Sequence, residues 1–300
     1  MNTILRNIPF SPPDMTTSEV SEVSEALRSG WITTGPRTKA FERQLSNYCH
    51  TGTTVCLNSA TACMELALRV LGVGPGDEVI TSAYTYTATA SVTCHVGAKV
   101  VLVDTAPDSY EMDYDKLDDE WLYRQFQLLS LHGQSKDALA KTQLGAWEYD
   151  IVAPNFKCNM TDIMAGIGLA QLKRYPEMLY RRRQLIGHYD EALKGYDVRL
   201  LNHYGSDHAS SGHLYLVRLV GKDVDERNDV IVRMAERGIA CNVHYKPLPM
   251  MTAYKTLGFD IADYPNAYNQ YRNEVTLPLH TRLSDDDAEY VIRNFLEIIH

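Results

Sequence analysis

No stretch of this 300-residue chain approaches the roughly 20 apolar residues that a membrane-spanning helix needs. Its first ten residues hold Arg6 and no apolar segment, so a cytoplasmic protein without a secretory leader is expected. The six cysteines (Cys49, Cys56, Cys63, Cys94, Cys158 and Cys241) contain no C-x-x-C pair. That argues against a disulfide framework or a zinc site and for reduced, mostly buried thiols. The histidines show no metal-ligand spacing either, so no metal is expected. Positive charge is not in excess: 29 basic residues face 38 acidic ones, a net charge of -9. Neither nucleic acid nor an acidic membrane surface is favoured as a partner. The local run Arg181-Arg182-Arg183 has no aromatic interleaving and reads as a solvated or interface face. Phenylalanine is scarce, six against nineteen tyrosines. Tyrosine suits clefts, subunit interfaces and half-buried core positions alike.

What is present is a 45% hydrophobic chain, long enough for two domains. Apolar periodicity and turn residues predict helices over Ser18–Ser29, Lys39–Tyr48, Ala62–Leu71 and Thr87–Val96. Strands are predicted over Thr53–Leu57, Glu78–Ser82 and Lys99–Asp104. Strands alternating with helices at this spacing give an α/β region with a mostly parallel sheet. Then the alternation stops, although a parallel sheet covered on both faces needs more than three strands. The pattern continues with predicted helices over Glu120–Leu131, Thr161–Lys173 and Glu177–Leu193 and an irregular stretch over Leu144–Val152. Thr161–Lys173 carries a small-residue face (Ala165, Gly166, Gly168, Ala170). The last third has strands expected at Leu214–Val220, Ile239–Tyr245 and Val275–Leu279 and a helix at Val224–Arg237. A final helix is capped by Ser284 with Asp287 three residues on. This is a small α+β domain of the ferredoxin-like kind. The expected division is a large domain over 1–184, internally truncated near 117–119, and a small one over 185–300.

Several residues could carry chemistry, and each has a plainer reading. Asn58-Ser59-Ala60-Thr61 lies at a strand end and a helix start, a seat for a phosphate, although a serine N-cap is far commoner. Tyr84-Thr85-Tyr86-Thr87 follows the next strand on the carboxyl edge of the sheet, where open α/β folds hold ligands. A tyrosine there can stack on a flat ring or simply pack on its loop. Asp104 ends the third strand and could face the crevice or cap a turn. Asn159 sits just outside a helix that Thr161 would cap. His244 and His213 stand at segment ends, where a histidine is usually only hydrogen-bonded structure.

Taken in order, these segments resemble one family. They are Gly30-Trp31-Ile32-Thr33-Thr34-Gly35-Pro36, Leu57-Asn58-Ser59-Ala60-Thr61-Ala62, Gly74-Pro75-Gly76-Asp77-Glu78-Val79-Ile80 and Gly97-Ala98-Lys99-Val100-Val101. They continue with Asn159-Met160-Thr161-Asp162, Gly168-Leu169-Ala170-Gln171-Leu172, Gly238-Ile239 to His244-Tyr245 and Leu277-Pro278-Leu279-His280. Together they are similar to the DegT/DnrJ/EryC1/StrS family of pyridoxal-phosphate (PLP) sugar aminotransferases, over nearly the whole chain.

The resemblance implies an aspartate-aminotransferase-like fold (PLP-transferase fold type I) with PLP as cofactor. It also implies a homodimer with shared active sites, and amino transfer from an amino acid such as glutamate to a nucleotide-linked keto-sugar. By the same resemblance Ser59 and Ala60 hold the cofactor phosphate and Tyr86 stacks on its ring. Asn159 reaches the phosphate from the partner subunit. Thr33, Thr34 and His244 lie on the substrate side. Two family elements have no match: the aspartate that keeps the pyridine nitrogen protonated, and the Schiff-base lysine. Both fall in family text between the strand at Lys99–Asp104 and the helix at Glu120–Leu131. The join near Leu117 has no linker composition, and what is left out amounts to on the order of 90–100 residues at about 30 or more per βαβ unit. Lys136, Lys141, Lys157 and Lys246 occupy no Schiff-base position. The expectation is therefore a family member without catalytic residues, whose PLP is not covalently attached. The alternative is a non-catalytic dimerisation module that pairs with a full-length paralogue.

Overall fold

The computed structural model describes residues 5–105, 158–206 and 208–300. The predicted helix at Glu120–Leu131, the irregular stretch at Leu144–Val152, the seam near Leu117, and Lys136, Lys141 and Lys157 lie outside the described residues.

Helix α1 (Thr17–Ser29) begins where Thr16 and Glu19 close a capping box and ends at Gly30 in the left-handed region. Helix α2 (Pro36–Cys49) starts with Pro36 in its first turn, three residues earlier than periodicity predicts. Helix α3 (Ala60–Val70) follows Ser59, whose hydroxyl accepts from the Ala62 N–H. Strand β1 (Glu78–Ser82), helix α4 (Ala88–His95) and strand β2 (Lys99–Val103) form one βαβ unit. The two strands pair in parallel from Glu78 opposite Lys99 to Ser82 opposite Val103. The strand predicted at Thr53–Leu57 is reduced to one antiparallel bridge between Leu57 and Asn159. Beside that bridge Asn58 N–H donates to Cys158 O (2.9 Å) and Met160 N–H to Cys56 O (3.3 Å).

Where the sequence suggests two helices, helix α5 (Asp162–Leu193) runs unbroken for 32 residues with Pro176 inside it. Proline removes a helical hydrogen bond and normally breaks a helix. Here packing holds both halves. The first half lies on α1 and α2, so closely that a Cβ on Gly166 would stand 3.3 Å from the Glu22 backbone. The second half puts Leu185, Ile186, Tyr189 and Leu193 into a core. Position 184/185 therefore falls inside a continuous helix.

The C-terminal part holds β3 (Val198–Leu200), β4 (Tyr215–Leu219), α6 (Val224–Glu236), α7 (Thr252–Thr256), α8 (Pro265–Tyr271), β5 (Glu274–Leu277) and α9 (Asp285–Ile299). Its strands form an antiparallel sheet in the order β3-β4-β5. The strand predicted at Ile239–Tyr245 survives only as isolated bridges, Ile8 with Ile239 and Asn242 with Thr276. Gly238 lies in the left-handed region, and a Cβ there would meet Arg6 O. Only glycine lets the N-terminal segment approach so closely. Ser284 caps α9 by accepting from Asp287 N–H, but the box does not close, because the Asp287 carboxylate is taken by Arg6 and the Ser284 hydroxyl.

Two cores result. One joins α5, the β3–β5 sheet, α6 and α9, with Tyr189, Tyr215, Phe295 and Met234 completely buried. The other joins Ala83, Val100 and Leu102 of the βαβ unit to Leu248, Tyr254, Tyr264 and Ala267. Through it the segment after His244 is fastened beside β1, with Leu248 N–H donating to Ala83 O (2.9 Å).

Candidate active site

Three structural groups hold the residues that the sequence singles out. The first is organised by Asp162. Its carboxylate is fully buried and accepts from Gly35 N–H (2.6 Å), Arg37 N–H (3.0 Å), Thr38 N–H (2.9 Å) and the Thr38 hydroxyl (2.6 Å). Asp162 thus caps α2 from a distance, satisfying first-turn donors that α2 has no cap of its own to satisfy. This explains the early start of α2. It also explains Gly35, where a Cβ would lie 2.6 Å from Asp162 Oδ2. Asp162 N–H returns a bond to Thr33 O (2.9 Å). The Thr33–Thr34 turn is thereby clamped, Thr33 exposed and Thr34 buried. Asn159 Nδ2 donates to Thr34 Oγ1 and to Met160 O (3.3 Å), and Thr34 Oγ1 donates to Met160 O (2.7 Å). Asn159 and Thr34 are therefore neighbours within one chain, beside the Leu57–Ser59 segment.

The second group is the start of α3. Ser59 and Ala60 are exposed, and the Ser59 hydroxyl caps Ala62 N–H (3.1 Å). The Ala60 and Thr61 N–H groups have no partner among the described residues. A hydroxyl and two outward N–H groups at the positive end of a helix dipole are the donor set a phosphate monoester requires. The residues present fit that end of PLP.

The third group is aromatic. Tyr86 is 59% exposed, and its ring centroid lies 5.9 Å from that of Tyr245. Tyr84, buried, donates its hydroxyl to His244 O (2.8 Å). His244 stacks on Phe10 at 5.3 Å. Its N–H donates to Glu274 Oε2 (2.9 Å), and its Nδ1 lies 2.9 Å from Thr276 Oγ1. Burial, then the neighbouring His213, pushes the His244 imidazole below its ordinary value, so it is neutral at neutral pH.

Asp104 takes the plainer of its two readings. Its carboxylate accepts from Asn266 N–H (2.8 Å) and Ala267 N–H (2.8 Å), capping α8, which leaves it committed away from any ligand ring. Lys246 is solvent-exposed. Burial pushes the Cys56 and Cys241 thiols up to about 12, with Glu42 and Glu274 adding to the respective shifts. Neither is a nucleophile at neutral pH. Among the described residues no cluster of His, Cys, Asp or Glu could hold a metal, and no helix is long and apolar enough to cross a membrane.

The DegT/DnrJ/EryC1/StrS aminotransferase family model matches residues 13–119 and again 116–296. The chain belongs to this family. The putative sugar aminotransferase Spr1654 from Streptococcus pneumoniae, solved in its PMP-form, is 44% identical at a TM-score of 0.92. The match covers 98% of this chain and 99% of that one. Its PLP-form matches at 42% identity and the same TM-score. The spore coat polysaccharide biosynthesis protein SpsC of Bacillus subtilis is 29% identical over 377 residues, covering 97% of each chain. The fold is that of the type I PLP transferases, α/β with a parallel sheet. Because 97% of 300 residues is about 291, the 377-residue alignment with SpsC leaves about 86 positions with nothing opposite them in this chain. The two family matches meet at 116–119.

Two site residues carried a sequence signal that pattern reading passes over. Glu274 is a carboxylate in a strand whose four residues are all buried. Arg227 stands on the apolar stripe of α6 with Val230 and Met234, donating to Tyr271 O and Glu274 O at 3.0 Å each.

Proposed function

We propose that this chain keeps the cofactor cradle of a sugar aminotransferase and lacks its chemical centre. The family reaction is amino transfer from an amino acid, typically glutamate, to a nucleotide-linked keto-sugar. PLP supplies an electron sink for such transfers, provided that a lysine bonds it and a carboxylic acid keeps its ring nitrogen protonated. The observation that carries the reading is the meeting of two family matches at 116–119, with about 86 alignment positions unfilled against SpsC. That is where the sequence lacks both the lysine and the aspartate motif.

In this reading the α3 N-terminus (Ser59, Ala60) binds the cofactor phosphate. Tyr86 lies against the ring and shields one face from water. The Asp162 clamp sets Thr33 and Thr34 on the substrate side, and His244 offers an imidazole nitrogen to the sugar. Asn159 adds an amide donor near the phosphate, in its own site or in that of a partner subunit. The domains divide near 184/185, and the assembly is a dimer in the cytoplasm. The test is binding alongside turnover. PLP is expected to bind, and pyridoxal without its phosphate to bind far more weakly. Ser59→Asp, which puts a negative charge at the seat, should abolish binding. Transaminase turnover at a rate normal for an intact homologue would overturn the inactive assignment.

A second reading is favoured by the continuous α5, which leaves Tyr180 66% exposed on its surface. The chain would then pair with a full-length paralogue and lend it Asn159. Co-purification with an active aminotransferase supports this, and a strictly monomeric product contradicts it.

A further inference from the structure

Behind His244 lies a buried polar chain that none of the roles above uses. Glu274 is completely buried on β5. The Thr276 hydroxyl, two residues along the same strand, donates to Glu274 Oε1. The same oxygen, Thr276 Oγ1, lies 2.9 Å from His244 Nδ1. Glu274 Oε2 meanwhile accepts from His244 N–H, which fixes the backbone of the same histidine. A hydroxyl has one proton. If Thr276 gives it to the carboxylate, the Thr276 oxygen can only accept from the ring. The ring must then carry its proton on Nδ1.

We propose that Glu274 and Thr276 are positioning residues that hold His244 as the Nδ1–H tautomer, leaving Nε2 as a bare hydrogen-bond acceptor. The chemical consequence is selective. Such a ring accepts a hydrogen bond from a hydroxyl or an amine and has nothing to give a phosphate or carboxylate. If His244 is on the substrate side, as the reading above has it, its ligand is a sugar hydroxyl or an amino group and not the diphosphate. The tautomer itself does not depend on that reading.

The surroundings agree. Nε2 has no hydrogen-bond partner among the described residues. Arg227 from α6, Cys241 from the segment before His244, and His244 itself face Glu274. His213 and Tyr245 face His244, and Phe10 covers its ring. Burial raises the Glu274 carboxyl to about 7 against the hydrogen bonds from Thr276 and His244 and the Arg227 charge. A carboxylate is an acceptor only, whereas a carboxylic acid can donate to Thr276 and let the hydroxyl turn towards Nδ1. The chain therefore has a stated direction above that pH and can reverse below it.

The test is long-range proton–nitrogen correlation NMR on protein labelled with nitrogen-15 histidine, at pH 8, without cofactor. His244→Gln assigns the signals by their loss. The expected wild-type pattern is a protonated Nδ1 and an unprotonated Nε2, the latter resonating far downfield. Thr276→Val should shift His244 towards the Nε2–H form, and Thr276→Ser, which restores the hydroxyl, should bring Nδ1–H back. The other histidine signals serve as the control for folding. An Nε2–H pattern in the wild type at pH 8 overturns the proposal, even if the valine variant fails to fold. So does a valine variant that folds and keeps the wild-type pattern. Because no step requires PLP or sugar, failure of the cofactor reading would leave this result untouched.

Discussion

The two sheets among the described residues are covered very differently. The antiparallel β3–β5 sheet is closed over by α5, α6 and α9, and its core residues Tyr215, Val217, Val275 and Leu277 have no exposure at all. The parallel β1–β2 pair buries Val100 and Leu102 but leaves Ile80 59% and Val103 41% exposed. Antiparallel sheets tolerate one wet face, whereas parallel strands normally have both faces covered. Among the described residues the less covered sheet is therefore the parallel one, and β2 leads towards the stretch where the two family matches meet.

The comparison can be broken most forcefully by one substitution in the closed core and one on the exposed strand face. Phe295→Ala, in the core of the antiparallel sheet, should cost about 3–5 kcal/mol in chemical denaturation. Ile80→Thr, on the exposed face of β1, should stay within about 0.5 kcal/mol. A large effect of Ile80→Thr would mean that this face is covered after all.

Glu274 sharpens the contrast through pH. Its folded value, about 7, lies above the ordinary 4.5. The folded chain therefore binds the proton more tightly. The stability it contributes is fully present below pH 4.5 and is lost as pH rises through about 7. At about 1.4 kcal/mol per pH unit this amounts to about 3–4 kcal/mol. Glu274→Gln should flatten that fall in denaturation curves measured from pH 4.5 to 8. An unchanged slope would contradict the buried-carboxyl account.

Asp162→Asn weakens charge-assisted bonds at the start of α2 and should cost about 1.5–3 kcal/mol. Faster amide exchange is expected at Gly35, Arg37 and Thr38, and unchanged exchange there would remove the clamp. Ser59→Ala should cost less, about 1 kcal/mol as a lost cap. Its stronger signature should be weaker PLP binding.

Much of this was legible in the sequence where the signals are local. Ser59 caps α3, Gly30 ends α1, and β1 and β2 lie within a residue of their predicted ends. Alternation and turn chemistry act over a few residues and leave a readable trace. What stayed hidden is non-local. Gly35 and Asp162 are 127 residues apart, so nothing near either of them shows that one caps the other's helix. Pro176 misled because its local cost is real but outweighed by packing on both halves of α5. The segment Ile239–Tyr245 has strand-like residues yet lacks a continuous partner, and a strand is made by its neighbour as much as by its own sequence.

The central claim is a PLP cradle without the lysine that would bond the cofactor. It is tested most directly by incubating the purified 300-residue chain with PLP, reducing with borohydride, and mapping peptides by mass. The account predicts that PLP binds but that no single lysine is modified stoichiometrically. Stoichiometric phosphopyridoxylation of one lysine, accompanied by amino transfer, would contradict it.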